Sequence, residues 1–235
     1  MSPTQTGPRA RYREHTKEEI KQIALAQLAE GGIGSVALTR VAKSLGMSGP
    51  AMYRYFTNRD DLLSALISDA YDDLGAATAD VPADLPPRER LHRMSAAYRA
   101  WAREEPHRYL LIAGDPLPGY QAPADTLLRA RAALGPFLAV FASSRPSEHV
   151  LPLARQTAAW ALRDPAVSEW VRGYTGASED PEAAGRALAG GILSWARMHG
   201  PVNLEVSGHF EGMGFDPGAL LHGEFEALAD QFGLP

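Results

Sequence analysis

Apolar residues along the chain recur with the period of a helix rather than that of a strand. Ile20, Ile23, Ala24 and Leu28 share one helical face, and Gly31-Gly32 stops the run. Thr16-Lys17-Glu18-Glu19 reads as a capping box, which predicts that this first helix opens with Thr16 as its N-cap. Val41, Ala42 and Leu45 form the buried side of a short second helix, with Thr39 as its expected N-cap. Gly46 breaks that helix at a point where a tight turn needs left-handed backbone. Ser48 is placed to cap a third helix running through residues 51–56. Pro50 lies in its first turn, where a missing N–H does no harm. Thr57 or Asn58 caps a fourth, 59–74, which carries Leu62, Leu63, Leu66, Ile67 and Leu74. Proline and glycine clusters then separate helical stretches at 87–104, 106–113, 123–143, 148–162, 165–172, 181–198 and 217–232. No long alternating run suggests a sheet, so an all-α fold is expected.

The same pattern suggests an organisation. Residues 1–13 lack apolar periodicity and read as a flexible basic arm ending in Arg9, Arg11 and Arg13. Residues 14–64 form a compact helical head and 65–235 a larger helical body. The proline-rich stretch 81–87 is the best candidate for a connection between them. Residues 201–215, rich in glycine, are expected to be an irregular or short helical loop.

Composition narrows the chemistry. The 235 residues contain no cysteine, which removes disulfides and thiolate metal sites. No apolar run reaches the length of a membrane span, and the N-terminal residues lack the apolar stretch of a secretory signal, so a cytoplasmic protein is expected. The net charge of −5 is unevenly distributed. From Arg9 to Arg59 there are nine Lys/Arg against four Asp/Glu, a basic head on an acidic remainder. The histidines, at 15, 92, 107, 149, 199, 209 and 222, include no pair at the helical i, i+4 spacing of a metal site. GxSxG, P-loop and GxGxxG signatures are missing. Neither a catalytic residue, a cofactor nor a metal site is expected.

The most specific signal is LTRVAKSLGMSGPAMYRYFTNRDDLL, from Leu38 to Leu63. Helix, glycine turn and helix within so short a span is a helix-turn-helix arrangement, in which Val41, Ala42, Leu45, Met52 and Phe56 lock two short helices together. The outward face of the second helix would then present Gly49, Pro50, Tyr53 and Arg54 to a major groove. The threonine before the first of these helices, the small-residue turn, Tyr-x-Tyr-Phe and the polar cap before Leu-Leu together resemble the DNA-binding signature of the tetracycline-repressor (TetR) family. That resemblance implies that Thr39, Ser48, Tyr53 and Tyr55 hydrogen-bond DNA phosphates. Arg59 stands where the family usually has a phosphate-contacting lysine. Arg40, Gly49, Pro50 and Arg54 match positions that touch base edges. Gly49 offers no side chain to read with, which leaves Arg40 and Arg54 as the expected guanine contacts.

The resemblance further implies a DNA-binding transcriptional regulator with a ligand-binding and dimerising C-terminal domain, released from a palindromic double-stranded operator by a small molecule. An apolar pocket lined by Trp101, Phe137, Trp160 and Met198 is expected to take a hydrophobic effector. For a homodimer interface, 181–198 offers Ala183, Ala184, Ala187, Ala189, Gly190 and Gly191. The last helix offers Leu220, Leu221, Phe225, Leu228 and Phe232. Trp195 to Glu205 resembles a Trp…His-Gly stretch of one branch of these domains, with His199 expected to be buried and hydrogen-bonded. Two other readings remain open: an activator or ligand-blind regulator with the same head, and a helical enzyme or binding protein with a vestigial one.

Overall fold

The computed structural model describes residues 7–114, 119–176 and 180–235. Among them the regular structure is helical throughout, with α1 Pro8–Gly31, a 3-10 turn Ile33–Ser35, α2 Leu38–Ser44, α3 Gly49–Met52 and α4 Arg59–Ala79. There follow α5 Pro87–Glu104, α6 Pro106–Ala113, α7 Ala124–Phe141, α8 Leu151–Arg163, α9 Pro165–Thr175, α10 Pro181–Val206 and α11 Pro217–Gln231. No described helix is long and apolar enough to cross a membrane.

Several boundaries differ from the sequence pattern. Residues 8–13, expected in a mobile arm, are the first turns of α1, which opens with Pro8 at its N-terminus. Thr16 is therefore interior and buried, its hydroxyl donating to the Tyr12 carbonyl one turn back instead of capping. Thr39 is likewise inside α2, whose N-cap is Ala37. At the other end of the chain α10 runs on through Pro201 to Val206, where a loop is expected. Pro201 removes one backbone hydrogen bond, but Met198 and Val202 on either side are fully buried, and tertiary packing outweighs the local loss.

The chain divides into two compact units. One comprises residues up to Ala70 together with His107–Thr126, and the other Tyr71–Pro106 with Leu127–Pro235. The boundary expected at residue 64 thus falls further along, inside α4. The proline-rich 81–87 merely joins α4 to α5.

The head unit is built on Ile20, Ala24, Leu28, Val41, Met52, Phe56, Leu62, Leu63 and Leu66, with Leu111 and Tyr120 packed against them. Tyr120 also pairs its hydroxyl with that of Ser64, 2.9 Å away. Lys21 on α1 is bridged at 2.6 Å to both Glu18 and Asp69, the latter on α4.

In the body unit, α10 is the central helix. Its small residues let neighbouring backbones approach: a Cβ at Gly185 would lie 2.8 Å from the Ala158 Cβ, and one at Gly191 would lie 2.7 Å from Leu138. Gly190 faces the ring of Phe141, which packs in turn on Phe232 with centroids 4.6 Å apart. The hydroxyl of buried Thr157 on α8 donates to the Gly185 carbonyl at 2.8 Å. Charged ties fasten α5 from outside. Arg99 is bonded through two nitrogens to Glu205 at 2.7 Å each, and Arg88 reaches Glu226 at 2.7 Å and Asp230 at 2.6 Å.

This packing corrects the expected dimer surface. Ala183, Ala184, Ala187, Ala189, Gly190 and Gly191 are all buried within the chain, as are Leu221, Phe225, Leu228 and Phe232. Leu220 alone of that set is exposed.

Candidate nucleic-acid interface

The interface is assembled at the turn between α2 and α3. The Met47 N–H donates to the Ala42 carbonyl at 2.9 Å and the Gly46 N–H to the Lys43 carbonyl at 3.2 Å. These two bonds close a Schellman motif, which requires the positive φ of 63° that Gly46 adopts. Ser48 then takes the extended N-cap conformation ahead of Pro50. Only Gly49–Met52 forms regular helix, and the chain continues to Phe56 in tight turns, with Tyr55 N–H bonded to Met52 O at 2.9 Å. Asn58 caps α4: its Oδ1 accepts from the Asp61 N–H at 2.8 Å, while the Asp61 carboxylate accepts from the Thr57 N–H at 2.8 Å.

Through this turn Met52 and Phe56 point into the core, while Tyr53 and Arg54 are turned out. Thr39, Arg40, Ser48, Gly49 and Pro50 are likewise exposed. Tyr53 leaves 53% of its surface in solvent, where its ring and hydroxyl are free to meet a partner. Tyr55 is half-buried and packs against the head core, which gives it a structural role alongside any contact with DNA.

Arg59 departs from its expected position. Its Nε donates to the Val36 carbonyl at 2.9 Å and its Nη2 to the Ile33 carbonyl at 2.5 Å. The buried side chain of Gln27 reaches the same segment, its Oε1 accepting from the Ala37 N–H at 3.1 Å, and Ser35 Oγ donates to the Gln27 carbonyl. Arg59 and Gln27 together fix the entry to α2. The sequence pattern recognises the charge at 59 but does not foresee that two carbonyls claim it.

Two basic residues join the site that motif matching overlooks. Lys43 is exposed in the last turn of α2. Arg13, expected in the arm, lies on α1 and donates to the Arg54 carbonyl at 3.2 Å, which brings that end of α1 beside the turn after α3. Among the described residues Arg40, Lys43 and Arg54 have no carboxylate partner, whereas Arg88, Arg99 and Arg186 of the body are each in ion pairs. A cluster of unneutralised cations around an exposed tyrosine is suited to a polyanion.

A profile of bacterial regulatory proteins of the tetR family matches residues 22–66, and one of tetracyclin repressor-like C-terminal domains matches residues 91–228. This chain belongs to the TetR family. It is 31% identical over 94% of its length to the HTH-type transcriptional regulator Rv1816 of Mycobacterium tuberculosis, 94% of which is covered. It is 34% identical to a chain whose crystal structure is described as that of a regulatory protein, SCO4313, with a TM-score of 0.71, covering 95% of this chain and all of the other. A TetR-family regulator from Rhodococcus RHA1 shares the fold at a TM-score of 0.57 and 17% identity, over 93% of this chain and 97% of that one. The protein is a DNA-binding transcriptional regulator with a TetR helix-turn-helix head, and its relatives are named as regulators rather than enzymes.

The four residues expected to line a pocket all lie in the body unit. Trp101, Phe137 and Met198 are buried and Trp160 is half-buried. None of the four lines either of two open grooves described in this unit, one between α5 and α11 and the other beside α8 and α10. His199 is half-buried, its ring 6.0 Å from that of exposed Trp195, with Nδ1 enclosed and without a hydrogen-bond partner.

Arg59→Ala should remove two charge-assisted bonds to backbone carbonyls and lower stability by about 1–3 kcal/mol. For a chain of this size that is a fall in melting temperature of roughly 3–10 °C. An unchanged melting curve together with lost DNA affinity would return Arg59 to the phosphate-contacting role.

Proposed function

We propose that this regulator is a repressor that binds a palindromic operator as a homodimer and is released by a small molecule held in its body. The observation that supports the DNA-contacting assignment best is the outward display of Tyr53 and Arg54 beside Arg40, Lys43 and Ser48, with their neighbours Met52 and Phe56 buried. In this reading Thr39, Ser48 and Tyr53 donate to phosphates and set the register, with Lys43 adding charge. Arg40 and Arg54 read guanine edges, and Gly49 and Pro50 allow close approach to the bases. Tyr55 supports the turn from the core side.

A second copy of the chain accounts for an exposed apolar face on the body. Ile192, Trp195 and Ala196 on α10 follow a helical i, i+3, i+4 spacing, and Leu220, Gly223 and Ala227 repeat at three and four residues on α11. Trp195 is 49% exposed on this face. Two such α10–α11 pairs meeting form a four-helix interface, an isologous contact suited to an operator with two-fold symmetry. Ligand control is supported by the matched C-terminal profile. It is supported also by a structure of the same fold at a TM-score of 0.51 and 16% identity, that of a TetR variant from Acinetobacter baumannii AYE in complex with minocycline.

DNA fragments selected by the purified protein should be inverted repeats. On such a site, fluorescence anisotropy should show Tyr53→Ala and Arg54→Ala weakening binding by about 1–3 kcal/mol each, with melting temperatures unchanged. Wild-type affinity in both variants contradicts the assignment. Trp195→Glu should shift the protein from dimer to monomer in light scattering and weaken operator binding with it; a dimer that persists places the interface elsewhere. A reporter driven from the selected site should rise when the protein is deleted. In the wild-type cell it should rise with a compound that stabilises the purified protein, whereas a reporter that falls on deletion identifies an activator.

A further inference from the structure

The groove between α5 and α11 carries chemistry that DNA recognition does not use. His92 reaches into it from α5, and His222 and Glu226 come from successive turns of α11. One ring nitrogen from each histidine and one carboxylate oxygen all lie within 4.8 Å of one another. His92 Nε2 is 2.5 Å from Glu226 Oε1, and the two imidazole rings are 4.5 Å apart at 33°. The i, i+4 relation between His222 and Glu226 is what brings both onto the face that meets α5. Spacing between histidines alone passes over this His–Glu pair.

Two helices fix the three groups without a further loop. Arg88 Nη1 donates to the far oxygen of Glu226 at 2.7 Å, which leaves Oε1 directed at the histidines. Arg88 is itself tied to Asp230 at 2.6 Å, so its charge is shared with a second carboxylate. The groove, lined by both histidines, has a volume of about 390 Å³, which leaves room for solvent beside them. An ion pair between His92 and Glu226 explains two of these groups. It does not explain the third donor, His222, exposed on α11 beside them.

We propose that His92, His222 and Glu226 bind one divalent transition-metal ion of the Zn²⁺ class per chain, with water completing a tetrahedral shell. Two imidazoles and one carboxylate suit a borderline ion, whereas Ca²⁺ and Mg²⁺ demand more oxygen ligands. Bonds of about 2.0–2.2 Å set ligand atoms roughly 3.4 Å apart around such an ion. The His92–Glu226 contact must open by about 1 Å, within the reach of side-chain rotation. The ion would fasten α5 to α11 within the body.

Zn²⁺ titrated calorimetrically into the untagged full-length protein should saturate at one ion per chain. His222→Ala, which removes an exposed side chain, should weaken binding at least tenfold, and His92→Gln should do the same. His209→Ala, exposed outside the groove, should bind as wild type. Zn²⁺ at a hundredfold excess over its Kd should raise the wild-type melting temperature by about 5 °C or more and leave that of His222→Ala unmoved. Co²⁺ should give the intense visible bands of a tetrahedral centre in the wild type alone. Absence of one-per-chain binding in the wild type, or wild-type affinity in the His222 and His92 variants, overturns the site. The measurement needs no DNA, so its outcome is independent of the operator reading.

Discussion

The carbonyls of Ala42 and Lys43 accept from Met47 and Gly46, and these two bonds end α2 while reversing the chain toward α3. They form because residue 46 is a glycine with positive φ; any other side chain there would meet the backbone at a cost of about 1 kcal/mol or more. The direction of every later side chain in the motif follows from that reversal. With the turn made, Met52 and Phe56 reach the core formed by Val41, Ala42 and Leu63, so Tyr53 and Arg54 between them have no option but to face solvent. Gln27 and Arg59 complete the arrangement by holding residues 33–37, which set where α2 begins.

A different constraint governs the body. Helix α10 is approached so closely at Gly185, Gly190 and Gly191 that no side chain fits there without displacement of a neighbour. Small residues at 183–191 thus serve contacts within the chain, to α7 and α8. The face of α10 left for another molecule is the one carrying Ile192 and Trp195, whose large apolar side chains remain in solvent. A run of alanine and glycine signals close helix approach but not whose helix approaches, and sequence alone assigns the run to the wrong neighbour.

Elements with a strong period or a proline start were legible in the sequence. α5, α9, α10 and α11 begin at the prolines expected, and for the last three the physical reason is an Asp-Pro pair: Asp164, Asp180 and Asp216 each accept from backbone N–H groups of the following turn. The helix-turn-helix was legible because its turn chemistry, apolar spacing and polar cap agree. What misled was local chemistry with two possible uses. A Thr followed by Glu three residues later caps a helix when it stands at the end of one. Inside a helix the same threonine bonds back to the preceding turn, and Pro8 decides between these by starting α1 earlier. Residues 107–126 joined the head, and Arg59 turned inward, through contacts between segments far apart in sequence. Neither a periodicity nor a motif encodes such contacts.

The charge distribution joins these two halves of the chain to one electrostatic argument. A protein of net charge −5 would be expected to avoid DNA, but a phosphate responds to charges within about a Debye length of it, roughly 8–10 Å at physiological salt. In the body several arginines are paired with neighbouring carboxylates: Arg88 with Glu226 and Asp230, Arg99 with Glu205 and Asp216, Arg186 with Asp180 and Glu182. The pairs of Arg88 and Arg99 join α5 to the α10–α11 segment, while those of Arg186 lie within α10 and its N-cap. Around the α2–α3 turn Arg40, Lys43 and Arg54 meet no carboxylate among the described residues, and the acids nearest in sequence to Arg54, Asp60 and Asp61, lie in the first turn of α4, where Asp61 is engaged with Thr57. Arg88 and Arg99 thus tie helices together in the body, whereas Arg40 and Arg54 of the head remain without a carboxylate partner. That difference is decided by where the carboxylates are placed rather than by how many arginines the chain has.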